Sequence, residues 1–415
     1  MSLVRTSLLS LASTVVKMLA GLAISKVLAV VAGPSGLALV GQFQNFVQIA
    51  LTAAKGGLDM GVTKYTAEYG VDEVRRARMF STAARLAAGC CAVVVLVLLL
   101  AAEPLSRYLL DSPDYAYVLR LFGLTVALFV VNSLLLAIVN GLQEVRTYIL
   151  INIAQSLLTL LLTVGLIAWL GLDGALIALV TNQSLVLVVL LWMLRDHMVI
   201  NSAHFRLPFD RVEATRLSKY GLMAAVSAVV SPLTAILVRD HIASTLSVDQ
   251  AGYWQAMWYV STVYLTIVTT SLSVYYLPKL AATIDRQALR SELLNGYRII
   301  MPIVVAAALL LYVIREWVVR ILFTDAFSPM LILFRWMLIG DVIKLASWLV
   351  AYLMLAKAMT RAFIVTEVVF SASFVVLAMA LIGQYGLEGV TYAYTANYTM
   401  YLVAVVMLTR RYWLL

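Results

Sequence analysis

The chain has 415 residues, 63% of them hydrophobic and 12% charged, with a mean hydropathy of +0.97. An ordinary soluble domain is about half apolar and a quarter charged, so this composition excludes a water-soluble globular protein and specifies a multi-pass membrane protein. The net charge of +9 sits mainly in loops on one side of the spans, where it reads as topology and not as a nucleic-acid surface.

Hydrocarbon leaves only helices for a chain of this pattern, because every backbone polar group needs a partner inside the segment. Twelve stretches of about 20 residues, the length a helix needs to cross, are predicted at 8–31, 37–60, 80–102, 115–138, 148–169, 173–194, 217–238, 251–275, 297–314, 328–352, 362–383 and 387–408. The first carries Lys17 and Lys26, is too long for a signal peptide and lacks a small-residue cleavage pattern, so it reads as span 1. Cys90 and Cys91 are neighbours in span 3 and point apart, which leaves neither a disulfide nor a metal site. With an even number of spans both termini share a side. That side holds 19 basic residues against four opposite, Arg107, Arg239, Arg315 and Arg320, so both termini are expected in the cytoplasm. The longest loop, about Arg195 to Arg216, has roughly 22 residues. That is too short for a catalytic domain, and no enzyme activity is expected.

The chain repeats itself. "GLDGALIALVTNQ" from Gly171 returns as "GLEGVTYAYTANY" from Gly386 at an offset of 215. "LVRTSLLSLASTVVKML" from Leu3 returns as "LSKYGLMAAVSAVVSPL" from Leu217 at an offset of 214. Agreement at both ends of the half predicts two six-helix bundles, 1–205 and 206–415, related by an axis along the membrane normal. Substrate sites of such repeats tend to lie where the halves meet. The Gly-Leu-acid-Gly pairs read as tight turns entering spans 6 and 12, glycine supplying the backbone freedom.

Charge inside a span costs about 2.5–3.5 kcal/mol at a helix centre and marks a pathway by default. Seven bases lie within or near spans (Lys17, Lys26, Lys55, Arg85, Arg120, Arg335, Lys344) against three acids (Asp59, Asp341, Glu367). Ser10, Ser13, Lys17 and Gly21 share a face of span 1; Lys26 lies nearer its end, facing a cavity or snorkelling. In span 2, Gln44, Gln48, Lys55 and Asp59 share one helical face, with Lys55 and Asp59 also spaced to neutralise each other. Arg239 and Asp240 close span 7, as an interfacial ion pair or an anion contact. Asp341 and Lys344 in span 10 are spaced either as a structural pair or as ligand contacts. Glu367 in span 11 is a proton site or a partner of Arg361. Arg85, Arg120 and Arg335 reach headgroups. The bases have no counterpart in the repeat, since Lys17 aligns with Ser231 and Lys26 with Asp240. Spans 8 and 12 add Trp254, Trp258, Tyr259, Tyr264, Tyr275, Tyr276, Tyr392, Tyr394, Tyr398 and Tyr401. These are membrane-interface and core aromatics, or faces that suit sugar rings. Pro232 and Pro302 are expected to bend spans 7 and 9.

"SLVRTSLLSLASTVVKMLAGLAISKVLAVVAGPSGLALVGQF" at the N-terminus, "GVTKY" from Gly61, "TTSLSVYYLPKL" from Thr269 and "LIGDVIKLASWLVAYLMLAKA" from Leu338 resemble the Wzx-type flippases. These belong to the multidrug/oligosaccharidyl-lipid/polysaccharide (MOP) exporter superfamily, whose fold is MATE-like. The resemblance covers essentially the whole chain and is nearest to O-antigen and enterobacterial-common-antigen translocases. It implies movement of an undecaprenyl-pyrophosphate-linked oligosaccharide from the cytoplasmic to the periplasmic leaflet of a bacterial inner membrane by alternating access. It also implies a cationic central cavity, which Lys17, Lys26, Lys55 and Arg239 are placed to supply. Asp59, Asp240, Asp341, Lys344 and Glu367 remain for ion coupling or charge pairing. No cofactor, metal or nucleic acid is expected. The expected partners are membrane lipids and the polymerase and chain-length regulator of the same pathway. The runner-up, a MATE-type multidrug/cation antiporter, would want acids where this chain has mostly bases.

Overall fold

A computed structural model describes residues 3–413 except 71, 196–204, 206, 272–275, 277–278, 281–282, 284 and 358. Tyr275, Arg206, most of the longest loop and the side chain of Ser10 therefore lie outside the described residues. Among the described residues every regular element is helical. In chain order the helices are α1 (Leu3–Lys55), α2 (Asp59–Tyr69), α3 (Glu73–Leu100), α4 (Ala102–Leu110), α5 (Ala116–Gly141), α6 (Val145–Leu185) and α7 (Leu187–Leu194). After the longest loop come α8 (Arg211–Thr245), α9 (Val248–Ser271), α10 (Arg286–Val313), α11 (Arg315–Leu322), α12 (Phe334–Ala356), α13 (Thr360–Tyr385) and α14 (Glu388–Trp413). The chain divides into two compact units, Met1–Ala32 with Leu39–Leu233, and Gly33–Ala38 with Thr234–Leu415.

Seven described helical stretches are long and apolar enough to cross a membrane. Two of them, Ser13–Lys55 and Arg146–Leu194, each hold two of the expected spans. Gly33 (φ 65°) and Gly171 (φ 59°) divide them, glycine alone taking such angles without strain. Expected spans 7, 8 and 12 fall on α8, α9 and α14, which are helical there. Pro232 and Pro302 sit inside α8 and α10 without ending them.

Helix ends follow local chemistry. Asp72 caps α3 by accepting from the Arg75 amide (3.0 Å), and Asp285 caps α10 through the Ala288 amide (2.8 Å). Arg410 and Arg411 lie in the last turn of α14, where cations complement the helix dipole. Two short helices went unforeseen in the sequence. α4 and α11 are amphipathic single pieces after α3 and α10, with Arg107 and Arg320 in their last turns. At eight or nine residues they are too short to register as spans, and their two-faced pattern suits the membrane interface.

Cores are apolar within each unit. Leu135, Val139, Ile151 and Leu190 pack together in the first, and Leu280, Leu293, Val304, Leu345 and Leu349 in the second. Meanwhile α10 and α13 leave Ile303, Leu310, Val313, Val368 and Val376 exposed. Helices apolar on their outer faces as well belong in lipid. Gln155 Nε2 of α6 donates to Asn132 Oδ1 of α5 (2.8 Å), and within α6, across the Gly171 break, Asn182 Nδ2 donates to Thr163 Oγ1 (2.5 Å). In hydrocarbon such bonds are worth roughly 0.6 kcal/mol on average.

The segment leading into α8 is held by α2 and α3. Ser81 Oγ donates to the Leu207 carbonyl (2.5 Å), and the Asp210 amide donates to Thr82 Oγ1 (3.1 Å). Glu213, 4% exposed, accepts from Tyr69 Oη (2.5 Å) and lies 3.7 and 3.5 Å from the guanidiniums of Arg75 and Arg216. Burial, then the bond to Glu213, pushes the Tyr69 phenol above its ordinary range, so it stays a protonated donor.

The repeated glycine motifs have a common structural explanation. Gly171 and Gly386 both adopt positive φ, 59° and 61°. Three residues on, a methyl group at Gly174 would stand 1.9 Å from the Leu166 carbonyl oxygen, and one at Gly389 would stand 2.2 Å from that of Leu381. The first glycine turns the chain and the second lets it return against the preceding helix. Gly174→Ala and Gly389→Ala are each expected to cost about 1–3 kcal/mol, read as a lower unfolding temperature in detergent. Gly165→Ala, whose methyl meets nothing within 4 Å, should change stability by no more than about 0.5 kcal/mol. Equal unfolding temperatures for all three would refute the close approach.

Candidate functional site

In the first unit, two lysines reach one polar face built by α5 and α6. Lys55, at the end of α1, donates to Asp59 Oδ2 at 2.5 Å, and Ser133 of α5 donates to Asp59 Oδ1 at 3.0 Å. The Lys55 ammonium also lies 5.5 Å from the Phe129 ring centroid. Asp59 and Ser133 line a cavity of about 480 Å3 with Thr63, Lys64, Asn140 and Tyr148. One turn further along α6, Asn152 Nδ2 donates to the Tyr148 carbonyl (2.8 Å), while Asn152 Oδ1 accepts from Lys17 Nζ (2.7 Å). The two lysines are thus treated differently. Lys55 is neutralised by a carboxylate, whereas Lys17 is oriented by a neutral amide, which brings no countercharge. Among the described residues no carboxylate lies within 4.0 Å of Lys17 Nζ.

The second unit encloses its charge more fully. Asp341 of α12 has no exposed surface and accepts three hydroxyl bonds, from Ser261, Tyr264 and Tyr394, each at 2.8 Å. Lys344, one turn on and 8% exposed, has its ammonium 5.0–5.4 Å from the ring centroids of Trp258, Trp348, Tyr394 and Tyr398. Four ring faces are a favourable seat for a desolvated cation. Gly340 makes the packing possible, since a methyl there would meet Tyr394 Cδ1 at 2.5 Å. Arg239 is 4% exposed and donates from Nη2 to Gln255 of α9.

Several expectations change. The polar stripe of span 2 is not one helical face: α1 ends at Lys55, Gly56 and Gly57 turn at φ 61° and 65°, and Asp59 opens α2. The Lys55–Asp59 contact closes across that turn. Arg239 is not a loop residue but a buried residue of α8, with Asp240 exposed beside it. Asp341 and Lys344 do not form an ion pair within 4.0 Å, because hydroxyls already satisfy the carboxylate and aromatic rings hold the ammonium. Glu367 is partly buried on α13, and among the described residues no cation lies within 4.0 Å of it; Arg361 is exposed. Lys26 is partly buried on α1. Arg120 pairs with Glu103 at 3.3 Å.

The sequence reading overlooked Asn152, Ser133 and the cage around Lys344. Tyr148, Asn152, Gln155 and Thr159 recur every three to four residues along span 5, a polar stripe that was legible but unweighed. The cage was not legible, because Trp258 and Tyr398 stand far apart in the chain. Removing the acceptor at its centre should be costly. Asp341→Ala strands three hydroxyls at roughly 1–3 kcal/mol for each buried donor. It is therefore expected to lower the unfolding temperature well beyond Tyr264→Phe, which removes one donor at about 1 kcal/mol. Equal melting of the two variants would contradict this.

Comparison with known proteins places this geometry. A family model described as "Polysaccharide biosynthesis protein" matches residues 27–332. The chain is 34% identical over 401 residues to "Lipid III flippase" of Escherichia coli (strain K12), covering 97% of this chain and 96% of that one. The same identity and coverage hold for the protein of that name from Shigella flexneri. Among solved structures, an inward-facing MATE family transporter of the MOP superfamily superposes with a TM-score of 0.82, over 98% of this chain and 97% of that one. Its 16% identity makes this a likeness of fold alone. Sequence match and fold agree over nearly the full length, and the chain belongs to the polysaccharide biosynthesis protein family, on the MATE-like fold of the MOP exporters.

Proposed function

We propose that this protein is a flippase for a lipid-linked oligosaccharide, a transporter and not an enzyme. The single observation that carries the reading is 34% identity to the Lipid III flippases across 97% of the chain. The substrate inferred from the sequence resemblance is an undecaprenyl-pyrophosphate-linked oligosaccharide of O-antigen or enterobacterial-common-antigen synthesis. Export runs by alternating access between two repeats, divided near 205/206, in an inner membrane with both termini cytoplasmic. The polymerase and chain-length regulator of the pathway are the proposed downstream partners. The antiporter alternative rests on fold likeness alone.

The chemistry of the first unit supports this assignment. A pyrophosphate cannot enter hydrocarbon without groups that replace its hydration, and Lys17 is a cation held in place by a neutral partner. Lys55 becomes available to an anion if Asp59 is displaced, and hydroxyls and amides around the adjoining cavity suit sugar. Moving negative charge outward across an inside-negative membrane is favourable by about 2.3 kcal/mol per charge per 100 mV, so the membrane potential can drive export. Lys26 and Arg239 complete the proposed cationic set. Asp59, Asp240, Asp341, Lys344 and Glu367 remain the positions for ion coupling or charge balance.

The test is flipping of a fluorescent polyprenyl-pyrophosphate glycan in proteoliposomes, followed with a membrane-impermeant quencher. Lys17→Ala is expected to slow flipping at least tenfold, equivalent to about 1.4 kcal/mol. Lys55→Ala should slow it less, because Asp59 already neutralises that charge in the observed geometry. Wild-type rates in both variants would remove these lysines from the site. Transport of cationic drugs without glycan flipping would return the antiporter.

A further inference from the structure

The two arginines near the start of α12 and the end of α10 are not equivalent to the other interfacial cations. α10 and α12 run antiparallel and enclose a groove of about 380 Å3 lined by Val305, Leu309, Leu338 and Val342, with Tyr312 and Arg335 at one end. Arg335 is exposed. Arg315, at the start of α11, donates to the Tyr312 carbonyl (2.7 Å) and stacks 4.4 Å from the Tyr312 ring centroid. Arg335 thus lines one lip of an otherwise apolar groove, and Arg315 packs on Tyr312 of the same lip. Among the described residues no carboxylate lies within 4.0 Å of either, whereas Arg120 is neutralised by Glu103 at 3.3 Å. The groove borders the lipid-facing surface of α10, where Ile303, Leu310 and Val313 are 59–75% exposed.

We propose that this groove is a lateral binding site for a lipid with a diphosphate head and a single long apolar tail, the head between Arg315 and Arg335. Charge and shape select the occupant. Guanidiniums bind phosphate oxygens through paired N–H donors, and two of them at one lip match two linked phosphates. One groove between two helices takes one chain, whereas an ordinary phospholipid brings two chains and one phosphate. The inference rests on the flippase reading and deepens it, naming where the lipid part of the substrate is held. In the proposed topology this lip faces the periplasmic leaflet, the side on which the flipped lipid departs.

The test uses the full-length protein in vesicles of phosphatidylethanolamine and phosphatidylglycerol, with undecaprenyl diphosphate carrying a photoactivatable tail. Labelled peptides are mapped after irradiation, and flipping of the lipid-linked glycan is measured in the same vesicles. Labelling is expected to concentrate on 305–312 and 338–343. It should fall at least fivefold in the Arg315→Gln/Arg335→Gln double variant and persist in the corresponding double lysine variant. Leu309→Trp, which fills the groove and leaves both arginines, should block labelling as well. A photoactive phosphatidylglycerol should label these peptides weakly and should not compete. Labelling indifferent to the double glutamine variant, or equal labelling by phosphatidylglycerol, would overturn the proposal. Flipping by wild type without groove labelling would overturn the groove and leave the flippase reading intact. Groove labelling without glycan flipping would support the groove as a lipid site and remove the flippase reading.

Discussion

Every other feature of this protein follows from the need to satisfy polar groups where there is no water. The backbone meets it by becoming helix, and the side chains meet it pairwise: Gln155 on Asn132, Thr163 on Asn182, Ser133 on Asp59. These bonds are individually weak in a membrane, but an unpaired group costs more than a paired one gains. These pairs require the helices that carry them to pack in one register.

Charge is handled by three distinct means. Lys55 has a carboxylate, Lys17 an amide, and Lys344 four aromatic rings. Only the first removes the net charge. An amide or an aromatic face stabilises an ammonium without cancelling its charge. Asp341 is the converse, a buried carboxylate supplied with three hydroxyls and, among the described residues, no cation within 4.0 Å. The same logic separates Arg120, answered by Glu103, from Arg315 and Arg335, which stack on aromatic rings. Uncompensated cations recur where the proposed function needs an anion to be held.

Much of this could be read before any coordinates. Helical class, the broken spans at Gly33 and Gly171, and the recurrence of the glycine pair at Gly386 follow from apolar length and glycine conformations, which are local properties. The lysines stood out for the same reason, since one charge in an apolar run is visible by itself. Their partners were less visible. Asn152 is 135 residues from Lys17, and an asparagine in a span carries no mark of what it faces. The stripe from Gln44 to Asp59 misled because helical periodicity was carried through Gly56 and Gly57, where the helix stops.

The amino-acid sequence by itself determined that this is a helical membrane protein whose sequence repeats, with more bases than acids within or near its spans. Hydrophobic length, turn chemistry and charge are properties of neighbouring residues. Only the tertiary structure decided which cations keep their charge, because that depends on the group opposite. Arg239 and Arg335 look alike along the chain. One is buried against Gln255 and the other is exposed at the lip of an apolar groove, a difference made by how helices far apart in sequence pack together.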